Sequence, residues 1–257
     1  MTELSAVLAR FDQEVRRSLV PPQPGWVSER VGRVIRVTSP PGLVYGCYVE
    51  WSDLDADSAD EQIAAQVEYF GGLGRRFEWK TYGYDSPADL PQRLTRAGFV
   101  AEDPETLVIG SLDAVTAACA GSTPPPGVRV RTIDAGDAAA WTGIGLLHDL
   151  VWGASSGEWV QGLVSEVAAD PAAISVLVAE VEASAEVVCA GWVRFHQGTG
   201  FASLWGGSTA PAYRGQGIYR TLVGQRAALA AQRQAVALYD QALGTTLERY
   251  HIKLADE

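Results

Sequence analysis

Apolar residues recur at helical spacing from the start of the chain. Leu4, Val7, Leu8, Phe11, Val15 and Leu19 share one face between charged positions until Pro21-Pro22 stops the pattern, which predicts a packing helix over residues 3–19. Residues 31–37 and 43–49 read as strands around a Pro40-Pro41-Gly42 turn. Ile63, Ala64, Val67 and Phe70 then mark a helix from about residue 60 to 70. A strand (76–82), a helix (87–97) closed by Gly98 and a strand (106–112) complete the first half. In the second half a strand over 128–132 precedes a helix capped by Asp134 or Asp137 and a second helix over 156–168. Strands over 174–181, 187–195 and from 201 follow, then a helix over 219–232, a strand over 235–240 and a helix to about residue 253. The small-residue stretch between the halves ends in Ser-Thr-Pro-Pro-Pro-Gly and reads as a semi-rigid linker. The expected fold class is therefore α+β, a mixed α/β chain of two domains, 1–113 and 127–257, joined by a linker over 114–126.

Composition narrows the function. A chain of 257 residues with 47% hydrophobic content can bury a sizeable core, and its length favours two domains. The net charge of −11 argues against nucleic acid, which needs a basic face. No apolar run approaches a membrane span and the N-terminus lacks a signal pattern, so a cytoplasmic location is expected. Cys47, Cys119 and Cys189 are scattered and odd in number, and His148, His196 and His251 stand without ligand spacing; no disulfide framework and no metal are expected. Asp53, Asp55 and Asp57 lack the glycine and glutamate of a calcium loop and read as a solvated helix cap.

The chemistry concentrates at Thr209-Ala210-Pro211-Ala212-Tyr213-Arg214-Gly215-Gln216-Gly217-Ile218-Tyr219, between an apolar strand and an amphipathic helix. Two glycines one residue apart let successive N–H groups face one concavity at a helix N-terminus, which suits an anion such as pyrophosphate. A nucleotide P-loop would need Lys, and none stands between residues 80 and 253; a dinucleotide fingerprint would need glycine where Arg220 stands. The plain alternative is an ordinary strand-to-helix turn.

Arg214 to Tyr219 resembles the (Gln/Arg)-x-x-Gly-x-(Gly/Ala) loop of the GCN5-related N-acetyltransferases, with Tyr219 where the family prefers a small residue. Leu94 to Phe99 is similar to the Leu-x-x-x-Gly-Phe ending of that fold. The resemblance implies two acetyltransferase-like domains, each a mostly antiparallel sheet flanked by helices. The first would be degenerate, because carboxylates fill the junction where its cofactor loop would stand. The second would lack the last strands, leaving an open edge that the other domain or a second copy of the chain, in a homodimer, could cover. It further implies that acetyl-coenzyme A is bound by Gly207, Thr209, Arg214, Gly215, Gln216, Gly217, Ile218 and Tyr219, and that the acetyl group passes to the amine of a small molecule. No carboxylate lies within residues 201–210, so Asp240 is the base candidate, equally explained as a helix cap. The family's thiolate acid is missing from its place at Leu247, and Tyr250 or Tyr239 could substitute. Trp141, Trp152 and Trp159 are either acceptor-pocket walls or core. A non-catalytic acyl-coenzyme A-binding or interaction module is the alternative function.

Overall fold

The structure, a computed structural model, describes residues 3–41, 46–153, 157–242 and 248–254. It separates into two compact units, Met1–Val108 with Gln241–Glu257, and Ile109–Asp240.

In chain order the first unit holds α1 (Glu3–Phe11), β1 (Val27–Val31), β2 (Val34–Thr38), β3 (Cys47–Ser52), α2 (Ala59–Gly72), β4 (Phe77–Tyr82), α3 (Leu90–Arg96), β5 (Phe99–Ala101) and β6 (Glu105–Ser111) as far as Val108. The second holds α4 (Leu112–Cys119), β7 (Val128–Ile133), α5 (Ala138–Trp152), α6 (Gly157–Ala169), β8 (Ile174–Val181), β9 (Val187–Phe195), β10 (Phe201–Thr209), α7 (Ile218–Gln232) and β11 (Ala237–Ala242). A last strand, β12 (Glu248–Leu254), belongs to the first unit.

Both units repeat one pattern, an antiparallel meander followed by a helix and a strand parallel to the meander's last member. In the first unit β1, β2 and β3 are antiparallel, and α2 leads to β4, parallel to β3. In the second, β7 to β10 are antiparallel, and α7 leads to β11, parallel to β10. A right-handed helical crossover is the ordinary way to join parallel neighbours, which is why both parallel pairs enclose a helix.

Several elements differ from the expectation, each for a local reason. Residues 31–37 form no single strand: Gly32 takes a positive φ of 58° and turns the chain into the β1–β2 hairpin, with Val31 opposite Val34. The first helix ends at Phe11, and a wider turn over Asp12–Arg16 carries Arg16 into the interior. Gly42 to Tyr45 and the expected helix start at Ser156 lie outside the described residues, and β3 begins at Cys47. Part of the expected linker is α4, capped by Ser111 Oγ accepting from Ala114 N at 3.2 Å and packed against Gly224 of α7. The helix expected near residue 253 is instead β12, paired with β4 from Arg249–Tyr82 to Lys253–Glu78. Its sequence, in which Tyr250, Ile252 and Leu254 alternate with Arg249, His251 and Lys253, has the strand period of two rather than the helical one.

The core of the second unit is built on β8 and β9, buried along nearly their whole length. Strands buried on both faces need helices on both. Trp159 and Glu166 of α6 meet Trp192 and Arg194, while Arg226 of α7 lies over Gly191 between them. Alternate strand residues point to opposite faces, so α6 and α7 cover opposite sides of the sheet.

In the first unit the β3–α2 junction carries its own anion. Asp55 accepts from Ser58 N at 2.9 Å, Ser58 Oγ at 2.7 Å and Asp57 N at 3.2 Å, and pairs with Arg33. The Ser58 hydrogen bonds, ahead of Arg33, hold its carboxyl well below the usual carboxylate range.

Candidate functional site

The site is where β10 parts from β11. β10 and β11 pair only at Phe201–Ala237, Ala202–Leu238 and Ser203–Tyr239; beyond Ser203 the strands part while β10 runs on to Thr209. On its other side β10 bulges between Trp205 and Ser208 against Trp192 and Ala190 of β9. Gly206 makes the bulge: its φ is +82°, and a Cβ there would stand 1.9 Å from the Trp192 ring. The backbone of Gly206 and Gly207 is thus bent out of the ladder at the fork.

From Thr209 the chain makes one tight turn over Pro211–Tyr213 and enters α7. Gly215 and Gly217 take φ of +74° and +78°, the left-handed conformation the glycine pair was expected to provide. Arg214 is tied back by Nε donating to the Thr209 carbonyl at 3.0 Å, and Gln216 by Nε2 donating to the Ala212 carbonyl at 3.1 Å. Thr221 donates N–H and Oγ to the Gly217 carbonyl at 3.0 and 3.1 Å, closing the first helical turn. Among the described residues no backbone carbonyl accepts from the N–H groups of residues 215–220. These six N–H groups lie just before and within the first turn of α7, at the positive end of its dipole.

Those groups border a cavity of about 380 Å³, lined by β10 (Gly207, Thr209), the turn and first residues of α7, and Val151 and Trp152 at the end of α5. Trp152 is fixed there by Nε1 donating to Ser208 Oγ at 3.0 Å. Tyr219 is 37% exposed and lays its ring over Gly207, where a Cβ would be 2.9 Å from its hydroxyl. The bulky ring thus occupies space that a glycine on the strand has vacated. Of the expected cofactor residues, Gly207, Thr209, Arg214, Gly215, Gly217, Ile218 and Tyr219 line this one cavity, while Gln216 braces the turn from behind.

Deeper in the fork, Ser203 Oγ and the Tyr239 hydroxyl each lie 2.9 Å from His196 Nε2, and Trp205 Nε1 donates to Ser203 Oγ at 2.6 Å. His196 and Tyr239 stack at 5.4 Å. β10, β11 and the residue after β9 bring this polar cluster together, and nothing in the spacing of residues 196, 203 and 239 announces it. Asp240 follows Tyr239 on β11, half-buried, and does not line the cavity; no helix begins there for it to cap. The backbone of Tyr250 lies on β12 opposite Thr81, in the first unit, and its side chain is outside the described residues. Trp141 is core, whereas Trp159 stacks on His148 at 4.9 Å and reaches Trp192 at 5.4 Å. Among the described residues no group of three or more His, Cys, Asp or Glu could hold a metal ion, and no helix is long and apolar enough to cross a membrane.

No family model and no curated protein matches the sequence. Solved structures do match the fold. A GCN5-related N-acetyltransferase from Kribbella flavida is 12% identical, with 100% of this chain and 97% of that one covered at a TM-score of 0.67. A conserved protein of unknown function from Staphylococcus epidermidis is 11% identical, with 96% and 98% covered at 0.62. A tandem acetyltransferase of this type from the clavulanic acid biosynthesis pathway is 10% identical, with 92% and 86% covered at 0.61. The chain has the fold of GCN5-related N-acetyltransferases.

Proposed function

We propose that the second unit is an N-acetyltransferase domain that binds acetyl-coenzyme A and passes the acetyl group to the primary amine of a small molecule. The observation that carries this reading is the cavity beside the strand fork, lined by Gly215, Gly217, Ile218, Tyr219 and Arg220, whose N–H groups meet no backbone carbonyl among the described residues. Those donors suit a pyrophosphate, and Arg214 and Arg220 at the rim add positive charge. The parted β10 suits the pantetheine arm, because its backbone groups beyond Ser203 have no β11 partner.

In the transfer, the amine lone pair forms a bond to the thioester carbonyl carbon, the C–S bond breaks, and the ammonium proton must be removed. The Ser203–His196–Tyr239 cluster supplies an imidazole, a side chain able to accept a proton, at the base of the fork. Asp240 is the neighbouring carboxylate on β11. In the first unit Asp55 already occupies the corresponding junction, so that unit is assigned no cofactor.

A second reading, a domain that binds acyl-coenzyme A without turnover, is favoured by the cavity lining, which contains no carboxylate or imidazole. Calorimetric titration with acetyl-coenzyme A, followed by thiol-release assays with amine acceptors, separates the two. The expected result is saturable binding, weakened at least 100-fold in Gly217→Glu, which sets a carboxylate among the six donors and forces a side chain into the left-handed region. Absence of binding by the unaltered protein overturns both readings.

A further inference from the structure

Arg16 and Arg226 are both wholly buried, each with 0% exposure, but their surroundings differ. Arg16 is met by Asp85, which accepts from Nη1 and Nη2 at 2.9 and 2.7 Å. Among the described residues the hydrogen bonds of Arg226 go to carbonyl oxygens, those of Leu222 at 3.3 Å, Trp192 at 3.3 Å and Trp205 at 3.2 Å. Its Nη2 has no acceptor among the described residues. A buried charge with no opposite charge beside it is strongly disfavoured unless something else makes use of it.

Its location suggests the use. The Trp205 carbonyl belongs to the residue that opens the β10 bulge, and the Trp192 carbonyl lies opposite it on β9, so the guanidinium ties the two strands together where the ladder is broken. Gly191 makes room, since a Cβ there would be 2.9 Å from Nη1. On the helix side the Tyr219 ring lies 5.5 Å from the guanidinium and covers Gly207, a wall of the cavity. β10 has no charged side chain from Phe201 to Thr209. Among the described residues no carboxylate pairs with Arg226, and its guanidinium stands behind the bulged backbone of β10.

We infer that Arg226 is a positioning residue with two tasks: it pins the bulge, and its positive charge favours the coenzyme A thiolate when the thioester C–S bond breaks and the electron pair leaves on sulfur. This rests on the reading of the second unit as an acetyl-coenzyme A site. Arg226 neither gives nor takes a proton; the thiolate is protonated from water afterwards.

The test compares coenzyme A with desulfo-coenzyme A, which lacks only the sulfur, by calorimetry on the full chain from pH 6.5 to 9. A site that favours the thiolate lowers the pH at which the bound thiol ionises below the ordinary thiol value of about 8.5, so the affinity ratio rises with pH across that window. A one-unit lowering gives a rise approaching tenfold. Tyr219 and the Cys189 thiol, the titratable groups that Arg226 reaches, are present in both arms and cancel in the ratio. Arg226→Met is expected to flatten the rise while desulfo-coenzyme A still binds, and Arg226→Lys to keep part of it. A ratio flat with pH in the unaltered protein, or a rise undiminished in Arg226→Met, overturns the inference. The unaltered protein decides even if the methionine variant fails to fold, with Arg226→Lys then carrying the comparison. If desulfo-coenzyme A itself does not bind, the cofactor reading fails, an outcome distinct from a flat ratio.

Discussion

Gly206 and Glu180 show how much of the second unit hangs on single side chains, or on the lack of one. Any Cβ at residue 206 meets the Trp192 ring and must also adopt a positive φ, so Gly206→Ala is expected to destabilise the unit by about 2–4 kcal/mol, read as a lowered midpoint in urea unfolding. Glu180 is 2% exposed and accepts from Arg131 at 2.6 and 2.9 Å and from Arg129 at 3.1 and 3.2 Å. Those bonds, Arg131's first, hold its carboxyl below the usual range. A depressed folded-state value means that the stabilisation is complete above the unfolded glutamate value of about 4.3 and fades as pH falls below it. Thermal melts of the unaltered protein should therefore fall between about pH 5 and 3, while Glu180→Gln starts about 1–2 kcal/mol less stable and responds less to acid. Residue chemistry of this kind was only partly legible in the sequence. The glycine pair announced the loop because only glycine takes that backbone freely, whereas Arg226 and His196 acquire their surroundings from strands and helices far away in the chain.

Elements were legible where their period was long and clean. The expected strands over 174–181 and 187–195 coincide with β8 and β9, and the glycine pair located the start of α7. Short or composite elements were not. Residues 31–37 conceal the turn between β1 and β2 because one glycine reverses the chain there, and β5 is too brief to show a period. At β12 the alternation was present, but the family resemblance favoured a helix there. That strand supports a further prediction. β12 pairs with β4 over five residues and also with β5 and β6, so deleting residues 248–254 removes its partners' ladders and leaves β4 with an exposed edge. Limited proteolysis of the deletion is expected to show rapid cleavage within residues 1–108, with the fragment spanning 109–240 persisting. Equal resistance of both segments would contradict this account of β12.

At the scale of the whole chain, the same meander, helix and parallel strand occur twice, and the two copies treat the helix entrance in opposite ways. At α2 a carboxylate of the chain itself, Asp55, satisfies the entrance; at α7 glycines leave the N–H groups of residues 215–220 open beside a cavity. The same junction is thus filled by a carboxylate in one unit and bordered by a cavity in the other. The membership of β12 has a consequence in time. A ribosome completes residues 109–240 before it has delivered β12, the second of the two strands that flank β4, so the unit that begins first is the one that finishes last. Throughout the synthesis of the second unit, the first must wait with a strand missing from its sheet, in need of shelter from other nascent chains.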